Sequence, residues 1–226
     1  MSNLEGPVFE PKSGNVKRIV VMLHGVGSNG DDLYGLTPLF ADVLPDTLIF
    51  SPNGIQPYDM APPEFGGYQW FSLASRSPHH LLQGAADAAS FVNPGLDELL
   101  RMHNLTDADL ALVGFSQGTM TSLYCALHRA NPIAGVVGFS GALIGADVHP
   151  HQYTARPPVC LIHGEEDMVV PFAALEHAHT TLSNAGVPVQ AYARPMLAHS
   201  IDMEGIEIAR RFLTGIFGLE YAANAA

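Results

Sequence analysis

The chain has 226 residues, enough for one large or two small domains, and its 47% hydrophobic content can fill a sizeable core. Only 14% of residues are charged and the formal net charge is −12, which argues against nucleic acid or an anionic membrane surface as a partner, both being polyanions. The segment Met1 to Lys17 is polar and does not read as a signal peptide, and no apolar run is long enough to span a bilayer. Cys125 and Cys160 each fall in an apolar run and read as buried free thiols. Together these features lead us to expect a soluble, cytoplasmic protein.

The first predicted strand is Arg18–Leu23. It runs into a glycine-rich loop, His24-Gly25-Val26-Gly27-Ser28-Asn29-Gly30-Asp31-Asp32. Such a loop turns backbone N–H groups toward a ligand. A phosphate-binding loop is the rival reading, but no Gly-Lys-Ser/Thr follows and Asp31-Asp32 would repel phosphate. A helix is predicted over Asp31–Val43 and a strand over Thr47–Phe50. The stretch Pro52 to His80 is rich in Pro and Gly, yet carries Met60, Phe65, Tyr68, Trp70, Phe71 and Leu73. A loop of this length is often functional, and its apolar residues read as pocket ahead of core. A long helix is predicted over Leu81–His103, with Pro94-Gly95 expected to break or kink it.

The apolar strand Leu110–Phe115 leads into Gly114-Phe115-Ser116-Gln117-Gly118, followed by a helix predicted over Gln117–Ala130. Strand, sharp turn and helix with serine at the tip is the context of a nucleophile elbow. The residues two before and two after such a serine approach each other closely, and here both are glycine. The pentapeptide alone is a weak signal, because chance produces it easily; the surrounding residues carry the inference. A second serine, Ser140, follows the predicted strand Ile133–Phe139 between small residues. The irregular stretch Gly141 to Pro158 supplies no helix after it, so no elbow is expected there. His149 and His151 lack a third ligand near them in sequence and read as surface loop.

The fifth strand, Val159–His163, ends in His163-Gly164-Glu165-Glu166-Asp167. Three acids compete there. Asp167 is chosen because it directly precedes the apolar run into the helix Pro171–Ala185, while Glu165 and Glu166 read as solvated. His177 and His179 are two apart on that helix and face different ways. The sixth strand, Val187–Ala193, is followed by a loop ending in His199, and a last helix covers Ile201–Phe217. His24 and His163 read as braces of a loop and a strand end, and the tail Ala222–Ala226 as frayed. Continuously apolar strands alternating with helices predict a three-layer α/β/α sandwich with a mostly parallel sheet, as one domain over residues 1–226. In such a sheet ligands bind beyond the carboxyl ends of the strands. Ser116, Asp167 and His199 all fall at such ends, in the chain order of an α/β-hydrolase triad. Val26 and Gln117 would offer their backbone N–H groups as an oxyanion hole.

The motifs L-H-G-V-G-S-N-G-D-D, Y-Q-W-F-S-L, G-F-S-Q-G, H-G-E-E-D-x-V-V-P and A-H-S together resemble the phospholipase/carboxylesterase family, which includes lysophospholipases and acyl-protein thioesterases. The resemblance runs from about Ile19 to Phe217. It implies a minimal α/β-hydrolase with no cap domain and no metal or organic cofactor. It implies the same triad and oxyanion donors, and an acyl groove lined by Trp70, Phe71 and Leu73, with Met168 and Val169 beside the acid. The chain departs from its relatives at Thr119, where many carry Gly, and at Ser72, where many carry Asp. Expected substrates are short or medium acyl esters, lysophospholipid or acyl thioesters. The rivals are a peptidase or dienelactone-hydrolase-like enzyme on the same triad, and a non-catalytic binding protein. An apolar rim around the site could pair two subunits as a homodimer.

Overall fold

The computed structural model describes residues 4–62, 64, 66–146 and 152–221. His149, His151, Phe65 and the tail 222–226 therefore lie outside the described residues.

The strands are β1 (Val8–Phe9), β2 (Arg18–Leu23), β3 (Thr47–Phe50), β4 (Gln56–Pro57), β5 (Tyr68–Gln69), β6 (Leu110–Phe115), β7 (Gly135–Phe139), β8 (Val159–Gly164) and β9 (Val189–Arg194). The helices are α1 (Gly30–Tyr34), α2 (Thr37–Ala41), α3 (Pro78–His103), α4 (Gln117–His128), α5 (Ala173–Asn184) and α6 (Met203–Ile216). Seven strands form one sheet in the order β1-β3-β2-β6-β7-β8-β9. All pairs are parallel except the antiparallel pairing of β1 with β3. β4 and β5 pair separately as a hairpin.

Strands β2, β3, β6, β7 and β8 are apolar along nearly their whole length and buried on both faces. A side chain pointing to either face of a parallel sheet meets a helix layer. Two cores result. One includes Leu23, Trp70, Val92, Leu96, Leu112 and Leu123. The other, across the sheet, includes Met22, Phe40, Val113, Phe139, Ile162 and Leu213. Each free thiol is pushed up to about 12 by burial, leaving both cysteines as unreactive core groups.

Three expectations are corrected. The helix predicted over Asp31–Val43 is two short helices, α1 and α2. The interruption falls at Gly35-Leu36, just ahead of Pro38, whose ring nitrogen has no proton to continue the ladder. Pro94 does not end its helix, and α3 runs through it. Pro94 and Ser90 both lie on the exposed face, so water can reach the carbonyl that the missing N–H would have bonded. The irregular excursion after β3 contains the β4–β5 hairpin, whose two-residue strands are too short to show a period. Among the described residues no helix is long and apolar enough to cross a membrane.

Candidate active site

The sheet order reverses between β2 and β6. From β2 the chain moves outward to β3, then crosses back to β6 and continues the other way. The crevice beyond the carboxyl ends of β2 and β6 is where such a sheet binds ligands. The glycine loop after β2 and the elbow after β6 meet there.

Ser116 sits at φ 55°, ψ −116°, a conformation in which a non-glycine residue is strained. A Cβ on Gly118 would lie 1.8 Å from the Leu23 carbonyl oxygen, and one on Gly114 would lie 2.4 Å from the Thr119 nitrogen. Any larger residue at either position would drive strand and helix apart. Thr119 locks the turn from inside: its buried hydroxyl lies 2.8 Å from both the Gly114 and the Phe139 carbonyl oxygens. Gly138 and Gly141 leave the space that its methyl fills. Thr119 is therefore built into the elbow.

His199 Nε2 lies 3.0 Å from Ser116 Oγ, and its Nδ1 lies 2.7 Å from Asp167 Oδ2. Since an ionised carboxylate only accepts, Nδ1 carries the proton and Nε2 accepts from the serine hydroxyl. The other carboxylate oxygen, Oδ1, accepts from the Val169 and Val170 N–H groups at 2.9 Å each. Burial alone would raise the Asp167 carboxyl. The bond from His199 and those from the Val170 and Val169 amides outweigh burial and hold the carboxyl below its ordinary value. Phe115 packs against the imidazole with ring centroids 4.9 Å apart. The loops carrying acid and histidine are joined by the Glu166 N–H donating to Leu197 O and the Glu165 N–H to Arg194 O. Glu165 and Glu166 are both exposed, as expected, and Asp167 turns inward.

Gln117 follows Ser116 as the first residue of α4, and Val26 follows Gly25, where an added Cβ would lie 3.4 Å from Ser116 Cβ. Neither N–H takes part in the backbone hydrogen bonds that hold these loops together. The next residue along, Gly27, donates to Tyr68 O, and Tyr68 N–H returns a bond to Ser28 O. The β4–β5 hairpin thus frames the glycine loop. Ser140 has neither base nor helix: its buried hydroxyl has no partner among the described residues.

The acyl-groove expectation is corrected at two positions. Trp70 is fully buried and Phe71 is 3% exposed, so both are core and not groove lining. The Trp70 indole N–H donates to His24 O at 2.8 Å, and its ring lies against the His24 imidazole. Phe71 packs on Gly84 of α3. Leu73 is half-buried, while Met168 and Val169 are 92% and 56% exposed beside the acid. Met196, on the histidine loop, is 85% exposed. Ser72 partners a nearby carboxylate. Asp59, at the hairpin tip, is held below its ordinary value by hydrogen bonds from Ser72 and then Gln69.

Two residues escaped the sequence reading. The Gln117 amide is buried; it accepts from Trp70 N–H at 2.9 Å and donates to Phe71 O at 2.6 Å. His163, read as a strand-end brace, lies with Nε2 3.2 Å from Asp167 Oδ2. Its place at the end of the apolar run Val159–Ile162 was the available signal that it would be buried.

Fold and site together define an α/β-hydrolase with a serine at the elbow. Residues 4–216 match the family model described as Phospholipase/Carboxylesterase, and the chain belongs to that family. It is 27% identical over 197 residues to an esterase of Escherichia coli, YpfH, covering 85% of this chain and 80% of that one. A match to acyl-protein thioesterase 1 of Schizosaccharomyces pombe, 31% identical over 132 residues, spans 52% of this chain and 58% of the relative. The crystal structure of esterase PE8 superposes with a TM-score of 0.88 at 35% identity, covering 94% of this chain and 99% of that one. The protein is a carboxylesterase-type hydrolase.

Proposed function

We propose that the chain hydrolyses short and medium acyl esters through an acyl-enzyme on Ser116, with His199 as general base and acid and Asp167 as the residue that orients it. The observation that carries this reading is the continuous relay of Ser116, His199 and Asp167, at 3.0 and 2.7 Å. Neutral His199 takes the Ser116 proton as Oγ attacks the acyl carbonyl. Asp167 keeps the proton on Nδ1 and stabilises the imidazolium. Val26 and Gln117 N–H receive the oxyanion at the positive end of α4, each such donor being worth roughly 3–4 kcal/mol. His199 then protonates the leaving group, and water repeats the attack.

With Trp70 and Phe71 closed into the core, little apolar surface is left beside the elbow for a long chain, which supports acyl chains of modest length. The two buried thiols support a reducing, cytoplasmic setting. Ser116→Ala should keep its melting temperature within a few degrees, lose esterase turnover and lose labelling by a fluorophosphonate probe. Turnover or labelling retained in that variant would remove Ser116 from the mechanism. A panel of p-nitrophenyl esters of rising chain length, beside lysophospholipid, acyl-CoA and peptide substrates, sets the substrate class. Peptide cleavage exceeding ester cleavage would favour the peptidase reading.

A further inference from the structure

Asp167 is the one side chain of the relay with no access to water, at 0% side-chain exposure, and His163 beside it is at 2%. The described contacts bring no other charged or titratable side chain to His163. Glu165 and Glu166 of the same loop are exposed, β9 places Arg194 opposite Gly164 rather than His163, and Phe172, at the start of α5, meets the ring edge-on at 6.1 Å.

His163 Nε2 lies 2.9 Å from Val170 O and 3.2 Å from Asp167 Oδ2. Both neighbours are acceptors. An unprotonated Nε2 would put three lone pairs against one another in a buried site, so this nitrogen carries a proton. Its N–H is directed at the Val170 carbonyl, with the carboxylate oxygen to one side. The Val170 N–H in turn bonds Asp167 Oδ1. One imidazole thus fixes the turn that presents amides to one carboxylate oxygen, and places a partial positive charge beside the other.

We propose that His163 is a positioning residue for Asp167: its Nε2–H holds the 167–170 turn through Val170 O and lies against the carboxylate oxygen that accepts the His199 Nδ1–H hydrogen bond. This rests on the triad reading above. Asp167 Oδ2 then has two nitrogens competing for it, which sets both the direction of its lone pairs and how strongly it holds the imidazolium.

The expected consequence has a sign. Removing the His163 N–H leaves more uncompensated charge on Oδ2, so the carboxylate attracts protonated His199 more strongly. The acid limb of the kcat/KM profile should move toward higher pH, by about half a unit. Loss of orientation should lower kcat by roughly ten- to hundredfold, with KM nearly unchanged. The test is the pH profile of kcat/KM for purified His163→Leu and His163→Gln, each checked for fold by circular dichroism and for a competent nucleophile by fluorophosphonate labelling. Glutamine can place an amide N–H near the same oxygens, and it should restore most of kcat and return the acid limb. A folded leucine variant with wild-type kcat and an unmoved limb would overturn the proposal. So would equal losses in both variants without any limb shift, which would mark His163 as structural only. Should leucine fail to fold, the glutamine variant and His163→Asn, whose shorter amide cannot reach both oxygens, supply the comparison. A dead Ser116→Ala enzyme leaves the triad standing whatever His163 does, whereas a live one removes the triad itself, so the two failures are distinguishable.

Discussion

Gln117 has two tasks that pull on different parts of the residue. Its N–H is free because it opens a helix, and its side chain is consumed in holding the excursion before α3. The amide satisfies one donor and one acceptor of the adjacent Trp70 and Phe71 backbone, both buried. No residue lacking both a donor and an acceptor can do this. Gln117→Leu leaves the two backbone groups unpaired at about 1–3 kcal/mol each. We expect the urea midpoint to fall by an amount equivalent to roughly 2–6 kcal/mol. Because the β5–α3 connection carries Leu73, KM for acyl esters should rise in the same variant. An unchanged midpoint would mean that water replaces the amide.

At the scale of elements, α3 and α4 are riveted by one cation. Arg129, at the end of α4, is 8% exposed; it reaches Asp107 at 2.8 Å, Asp97 at 2.6 Å and Asn93 at 3.2 Å. Burial works against its charge, while the bonds to Asp97 and Asp107 keep it firmly protonated. Arg129→Met would strand the partly buried Asp107, and we expect a loss of about 3 kcal/mol by chemical denaturation with little change in kcat. A variant as stable as the parent would show that Asp107 turns out to solvent. The ends of elements explain what could be read from the chain. The runs Arg18–Leu23, Thr47–Phe50 and Leu110–Phe115 coincide with strands, because a strand covered on both faces writes its burial directly as uninterrupted apolar sequence. The convergence of Ser116, Asp167 and His199 was legible for a related reason: all three are placed by strand ends, which are local features. Trp70 was not legible. Its burial depends on the carbonyl of His24, 46 residues away, and nothing in Gln69-Trp70-Phe71 distinguishes a ring facing a groove from one facing the core. Pro94 misled because the cost of a proline in a helix depends on which face it occupies, and its neighbourhood in sequence does not say.

The molecule as a whole carries a formal charge of −12, and acidification has two opposed effects on it. Protonating the surface relieves self-repulsion and favours the compact state. Buried groups act the other way, and His24 acts first. It is fully buried; Nε2 accepts from Gly54 N–H and Nδ1 lies against Gly25 O. The ring is therefore neutral. Burial lowers it from 6.5, against the smaller opposing effects of the Gly25 bond and the Asp32 charge. A depressed native value means that the unfolded chain takes up a proton at a pH where the folded chain refuses it. His24 thus stabilises fully above 6.5, and its contribution is lost as pH falls from there to the native value, at up to about 1.4 kcal/mol per unit. Asp167 and Asp202 follow at lower pH, since both are held below 3.8 in the fold. Their contribution is present above the ordinary carboxyl value and disappears as pH drops through the native ones. The melting temperature should therefore decline between pH 7 and 5, while the carboxylates are still ionised. His24→Gln keeps an acceptor for Gly54 without a titrating ring. It should start from a lower melting temperature and show a shallower slope across that window. Parallel slopes in the two proteins would assign the acid sensitivity to other groups.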